Sequence, residues 1–192
     1  MLDAYNVALQ GKPLFYLSST GVYGDTGGAW VDESAPVGGR RGARTEADAR
    51  WLALGARVFR LPGIYGPGRS ALERVREGKA HRIDLPGQVF SRVHVDDIAG
   101  GVAAALAAEV PPGAYNLADD EPASQNAVVE HASRLLGIAP PPLQSLDEAG
   151  LSPMARGFYA ENRRVANGRL KRAAGWVPRF STYREGLAAL VS

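Results

Sequence analysis

The 192-residue sequence predicts an α/β protein, a parallel sheet joined by crossover helices. Three observations predict it. Short apolar runs bounded by turn residues alternate with segments whose apolar residues recur at helical spacing. The run Leu14-Phe15-Tyr16-Leu17 passes unbroken into the hydroxyls Ser18-Ser19-Thr20, which suits a strand buried on both faces of a sheet. Capping residues and glycine stops mark the ends of the helical segments.

In chain order, Leu2, Tyr5 and Leu9 sit at helical spacing, and Gly11 offers a stop before the first strand. The chain thus opens in the middle of an α/β repeat. A polar, Gly/Pro-rich loop runs from Gly24 through Gly42. Ala47, Trp51 and Leu54 mark a helix closed by Gly55, and residues 57–61 read as the next strand. Residues 70–77 form a short charged helix capped by Ser70 and stopped by Gly78. Residues 83–85 and 89–95 look like short strands. Asp96 caps an alanine-rich helix through residue 108, with Ile98, Val102 and Leu106 as its buried edge. Residues 114–117 are a further strand. Ser124 caps a helix that runs to Leu136 and ends at Gly137, and Ala139-Pro140-Pro141-Pro142 is a rigid linker. Residues 167–174 and 182–190 are the last helices, the second opened by a Thr182/Glu185 capping box. No internal repeat is visible.

Composition narrows the function. With 45% hydrophobic and 22% charged residues, the chain reads as a globular protein able to bury a core. Its net charge is +2, and only Lys12, Lys79 and Lys171 are lysines. Without a basic block there is no nucleic-acid footprint. The absence of cysteine removes disulfides, thiolate metal sites and a cysteine nucleophile. No apolar run approaches the ~18 residues of a membrane span, and Asp3 does not suit a secretory signal. A cytoplasmic location, with no membrane or nucleic-acid partner, follows as the expectation; a homodimer stays open.

In open α/β sheets chemistry lies beyond the carboxyl ends of the strands, where Ser18, Ser19 and Thr20 emerge. These hydroxyls can meet a bound carbonyl or alcohol, or can simply bond their own backbone. Gly66-Pro67-Gly68-Arg69-Ser70-Ala71 literally matches the glycine pattern that cradles a dinucleotide pyrophosphate. It reads as a decoy, because it lies five residues beyond the strand at 57–61 and Pro67 removes a donor. His94 stands beside Asp96 and Asp97 without a second histidine, so no metal site is expected; a structural histidine and an Asp96 cap fit better.

The stretch from Ser18 to Gly24 resembles the Ser-Ser-x-x-Val-Tyr-Gly signature of the extended short-chain dehydrogenases, the NAD-dependent epimerase/dehydratase group. Arg60-Leu61-Pro62-Gly63-Ile64-Tyr65-Gly66-Pro67-Gly68, Val93-His94-Val95-Asp96-Asp97-Ile98-Ala99 and Gly113-Ala114-Tyr115-Asn116-Leu117-Ala118 follow in the family's order. Leu170 to Trp176 with Pro178 resembles its C-terminal Leu-Gly-Trp-x-Pro. The resemblance implies a partial Rossmann-type sheet (residues 1–63 and 93–118) with a smaller C-terminal substrate lobe (residues 64–92 and 119–192). It implies Ser19 as the catalytic hydroxyl. It places Ser18, Arg44, Pro62, Gly63 and Ile64 at an NAD or NADP cofactor, and Thr20, Tyr23, Arg92 and Arg156 at the substrate. For each of the two substrate arginines, a solvated surface charge is the alternative. Tyr23 and Tyr65 would lie over the cleft, as contacts or as buried aromatic lids.

Several family features are missing. The glycine fingerprint would lie upstream of residue 1, so the chain is expected to lack its N-terminal nucleotide-binding part and, as it stands, to bind NAD(P) weakly or not at all. No tyrosine has a lysine four residues later. Matching Arg44-Thr45-Glu46-Ala47-Asp48 to the family's Lys-x-Glu-Ala-Glu puts Arg44 at the lysine and Arg40 at the tyrosine, an atypical pattern. Gly63 stands where sugar-nucleotide enzymes carry asparagine. The expected function is an NAD(P)-dependent, epimerase/dehydratase-like enzyme acting on a small or sugar-nucleotide-like substrate. A non-catalytic NAD(P)- or metabolite-binding or sensing protein is the alternative, and a functionless truncated product a third.

Overall fold

The computed structural model describes residue 9 and residues 11–191. Leu2 and Tyr5 of the expected opening helix lie outside the described residues. Strand β1 (Phe15–Ser19) turns through a 3₁₀ segment (Thr20–Tyr23) into a loop holding β2 (Trp30–Val31). Helix α1 (Gly42–Ala53), β3 (Arg57–Leu61), β4 (Gly63–Tyr65), α2 (Ala71–Arg76), β5 (Arg82–Ile83) and β6 (Arg92–His94) follow. Then come α3 (Val95–Ala107), β7 (Gly113–Asn116), α4 (Gln125–Leu136) and β8 (Leu143–Gln144). The chain closes with α5 (Pro153–Tyr159), β9 (Arg164–Val165), α6 (Gly168–Ala174) and α7 (Tyr183–Ala189).

β1, β3 and β7 form a three-stranded parallel sheet in the order β1-β3-β7, as the alternating pattern predicts. Ser19 lies opposite Leu61 and Arg60 opposite Asn116, so these residues share one end of the sheet. Three parallel two-stranded pairs, β2 with β9, β4 with β6 and β5 with β8, tie on the smaller C-terminal part. The sheet core gathers Phe59, Leu61, Val93, Ile98, Tyr115 and Leu117, joined by Leu170 and Trp176. A second core packs Tyr65, Leu72, Val75, Val128, Tyr183 and Leu187 between α2, α4 and α7.

Local signals place most ends correctly. Ser70 and Thr182 each open a helix with a capping box, and Ser124 accepts from the Ala127 amide while Gly137 closes α4 at φ 66°. Other expectations fail for tertiary reasons. β1 is not buried on both faces: Leu17 is 51% exposed. Tyr16 stacks on Trp51 and Ser18 bonds Asp48, so α1 covers their face. The opposite face is covered where Phe15 stacks on Phe59, and no described strand pairs beyond β1.

Helix α3 is capped by His94, whose Nδ1 accepts from the Asp96 amide at 3.2 Å, not by Asp96. Gly101 and Ala105 take its buried edge beside Ile98, and Leu106 is 55% exposed. A 3.6-residue period places 98, 101 and 105 on one stripe, with 106 one step past it. The strand expected at 89–95 narrows to β6, with Phe90 bridging antiparallel to Ala123. The strand expected at 83–85 shifts to β5.

Tyr65 is a core residue. A side-chain carbon at Gly186 would lie 2.0 Å from its hydroxyl oxygen and 2.8 Å from its ring. Gly186→Ala therefore overpacks the contact between β4 and α7. The expected loss is about 1–3 kcal/mol, read as a lowered urea midpoint. An unchanged midpoint would mean that Tyr65 can turn aside at no cost.

Candidate functional site

The site grows from the carboxyl end of β1. Ser19 Oγ accepts from the Gly21 amide at 3.1 Å and so caps the 3₁₀ turn, which Gly24 leaves at φ 75°. The Gly38 and Gly39 amides both donate to the Val22 carbonyl, at 2.9 and 2.8 Å. A side-chain carbon at Gly39 would lie 1.9 Å from the Gly21 carbonyl oxygen, so only glycine lets the two loops approach.

Beneath this turn lies a buried polar network. Arg60 sends Nε and Nη2 to the Asp48 carboxylate at 3.2 and 2.7 Å. Asp48 also accepts from Ser18 Oγ at 2.6 Å. Arg60 Nη1 donates to the Tyr23 hydroxyl at 3.0 Å, and that hydroxyl donates to Asn116 Oδ1 at 2.8 Å. Asn116 Nδ2 donates to the Ala166 carbonyl. The Asp48 and Arg60 side chains are only 2% and 3% exposed. Burial raises the Tyr23 pKa above the ordinary tyrosine value, against the opposing pull of Arg60. Burial works against the charge on Arg60, but its bonds to Asp48 and Tyr23 outweigh this and hold the proton more tightly.

The expected site residues thus divide. Ser18 is buried with its hydroxyl given to Asp48, and Tyr23 is buried with its hydroxyl inside the network. Thr20 is buried and donates to the Leu61 carbonyl at a long 3.5 Å. Ser19, Pro62 and Ile64 are partly exposed, and Gly63 and Arg44 are exposed. The parallel register brings Ser19 beside Leu61 and hence to the shelf that begins at Pro62.

Arg92 is not a solvated charge. It is buried, donating to the Phe90 and Ala123 carbonyls at 2.8 and 2.9 Å and to Gln125 Oε1 at 3.0 Å. Arg156 donates to the Leu146 carbonyl and to Asp147, on the surface.

Glu161, Asn162 and Arg163 were not singled out by the sequence. Arg163 Nη1 donates to Glu161 Oε2 at 2.7 Å and to the Gly24 carbonyl at 2.6 Å. Arg40, at the position of the family tyrosine, sends Nε to Glu161 Oε1 at 2.8 Å and Nη2 to the Gly157 carbonyl. Burial would raise the Glu161 pKa, but its bonds to Arg163 and Arg40 bring it below the ordinary carboxylate value. Asn162 joins the two sides of the segment, its amide donating to Asp25 and its Nδ2 to the Gly87 carbonyl. The only signal in the sequence was the charge density of Arg163-Arg164 within a polar stretch.

The glycine decoy behaves differently from its spacing. β4 runs to Tyr65, so Gly66 does follow a strand directly, contrary to the expected five-residue gap. It still offers no phosphate cradle. The Gly66 and Arg69 amides bond each other's carbonyls, and Glu73 accepts from both the amide and the hydroxyl of Ser70 at the helix start. Where β1 and β3 end, Ser19, Pro62 and Ile64 are partly exposed and Gly63 is exposed, so a ligand at this strand end would meet Ser19 and the 62–64 segment. Among the described residues, no three His, Asp or Glu side chains gather to hold a metal ion. No helix among them is long and apolar enough to cross a membrane.

No family model matches the chain. A functionally unknown conserved protein from Silicibacter pomeroyi DSS is 44% identical in sequence and superposes with a TM-score of 0.88, over 99% of this chain and 71% of that one. An NAD-dependent epimerase/dehydratase (described as putative) from Methylobacillus flagellatus is 28% identical with a TM-score of 0.73, over 99% and 68%. The 3-diazoavenalumate denitrifying reductase of a Streptomyces species is 35% identical over 145 residues, 70% of this chain. The matched stretch is 46% of the length of that reductase. Other structures, at 16–20% identity, share the fold and hold NAD or NADPH. The chain belongs to the NAD-dependent epimerase/dehydratase superfamily.

Proposed function

We propose that the protein is an atypical NAD(P)-dependent oxidoreductase of this superfamily, working on a small carbonyl or alcohol in the cytoplasm. The observation that carries the reading is Ser19. It stands at the carboxyl end of a parallel strand, partly exposed, and its hydroxyl donates to no acceptor among the described residues. A nicotinamide dinucleotide, when bound, supplies or accepts the hydride. Ser19 Oγ–H donates to the substrate oxygen and favours the charge that develops there. Pro62, Gly63 and Ile64 give the flat shelf beside it, and Arg44 on the exposed first turn of α1 holds a ribose hydroxyl.

Arg40 moves no proton, because guanidinium stays protonated and this one is bound to Glu161. Tyr23 is equally committed, so the proton on the substrate oxygen exchanges with water at the open strand end. That same pair of observations favours a second reading, a binder of NAD(P) or a metabolite without turnover.

Turnover separates the two. A longer form that supplies the glycine turn for the pyrophosphate is given NADH or NADPH at saturating concentration with small ketones, oxo acids and sugar nucleotides, and loss of reduced cofactor is followed. Oxidation by one of these classes is expected, and Ser19→Ala should lower kcat/KM by about ten- to a thousandfold. Cofactor binding without oxidation of any kind would establish the binder.

A further inference from the structure

We propose that residues 150–160 form a lid on the flank of the Ser19 turn, opening between Gly150 and Asn162 and held shut by Arg40 and Arg41.

The segment carries its own start signal and little else that ties it down. Ser152 caps α5 by accepting from the Ala155 amide, and Pro153 opens the helix. No described residue from 150 to 164 is buried, and none from 150 to 160 joins an apolar core. Ala149 before it and Val165 after it are both buried. A segment with so little buried apolar contact opens at low free energy while its neighbours stay folded.

Its two ends differ. Gly150 stands at φ 56°, in the left-handed region, and its chain neighbours aside, no atom lies within 4 Å of where a side-chain carbon would sit. That leaves room for the backbone to swing. Asn162 is fixed. Its amide donates to Asp25, and its carbonyl accepts from the Thr26 and Gly28 amides. Its Oδ1 accepts from the Val89 amide, and its Nδ2 donates to the Gly87 carbonyl.

Between these ends the hold is polar and wet. Glu161 Oε1 fixes Arg40 Nε at 2.8 Å, and Arg40 Nη2 donates to the Gly157 carbonyl. Arg41 stands over the Phe158 ring at 5.8 Å, and Tyr159 meets Phe90 edge-on at 5.5 Å. Arg156 reaches only back to the stem, to Leu146 and Asp147. The Arg40 side chain is 55% exposed and Phe158 is 56% exposed, so water and salt reach the latch. The same loop carries Gly38 and Gly39, whose amides hold the Val22 carbonyl, so the lid rests against the Ser19 turn. The residue at the position of the family tyrosine thus closes a lid.

Hydrogen exchange of the whole chain, read by mass spectrometry of its peptides, tests this. The amides of α5 should be protected, yet exchange faster than those of α4. Arg40→Gln should speed exchange over residues 153–160 by about three- to tenfold and leave α4 unchanged. Arg40→Lys, which keeps the charge and loses the fork, should give a smaller rise. Raising NaCl from about 0.05 to about 0.5 M should speed the same segment in the unaltered protein, and do little once Arg40→Gln and Arg41→Gln are combined. Exchange of α5 at the rate of an unstructured peptide in the unaltered protein would leave no closed state and overturn the proposal. So would exchange indifferent to Arg40→Gln, or a rise spread equally over α4 and the sheet, which would make Arg40 a support of the whole fold.

Discussion

Asp48→Ala lowers the unfolding free energy by about 3–5 kcal/mol, the usual cost of stranding one partner of a buried ion pair. The carboxylate of Asp48 is the acceptor for both Arg60 and Ser18. Removing it leaves a guanidinium 3% exposed in the middle strand of the sheet, facing no anion of the network. The damage should pass through Arg60 to Tyr23 and so to the 3₁₀ turn that carries Ser19. Urea denaturation followed by far-UV circular dichroism reads the loss. The double variant Asp48→Leu with Arg60→Leu should recover much of it, because the apolar pair carries no desolvation penalty. A single-variant loss below about 1 kcal/mol, as for surface pairs, would show that water reaches the network.

Stability should also fall as pH rises from about 4 to about 7, through Asp119. Its carboxyl is 2% exposed, and burial pushes its pKa up to about 7 against the opposing pull of Arg92 and the Glu121 amide. The unfolded chain releases this proton near the ordinary aspartate value of about 4. Between the two values the native state binds more protons than the unfolded state, so each added pH unit removes stability. The contribution is complete below about pH 4 and lost through pH 7, roughly 4 kcal/mol over the window. Asp119→Asn should flatten that part of the profile. The slope is the readout, because asparagine also removes the charge facing Arg92. Parallel profiles for the two proteins between pH 5 and 8 would show that Asp119 is ionised throughout.

The sequence by itself determined the elements whose signals lie within one turn of chain. Ser70 with Glu73, Thr182 with Glu185, and Ser124 with Gly137 bound their helices as read, because a cap and its amide lie within four residues of each other. The strand from Arg57 to Leu61 and the parallel sheet followed from apolar runs between such helices. The place of Ser19 at the carboxyl end of β1 was also legible, since an apolar run passing into hydroxyls is a local pattern.

The tertiary structure alone decided which polar groups face inward. Arg60 is one charged residue in a strand read from its apolar neighbours, yet an aspartate on α1, twelve residues earlier, holds it as a buried charge. Ser18 and Ser19 are neighbours with opposite fates, because alternation along β1 turns the first under α1 and the second toward the strand end. β2 and β9 are two residues each, too short to show a period, and pair only because the chain returns after residue 160. That return carries Arg163 to Gly24, 139 residues away in sequence. No local pattern encodes a distance of that kind, because the contact exists only after packing has set the loops side by side.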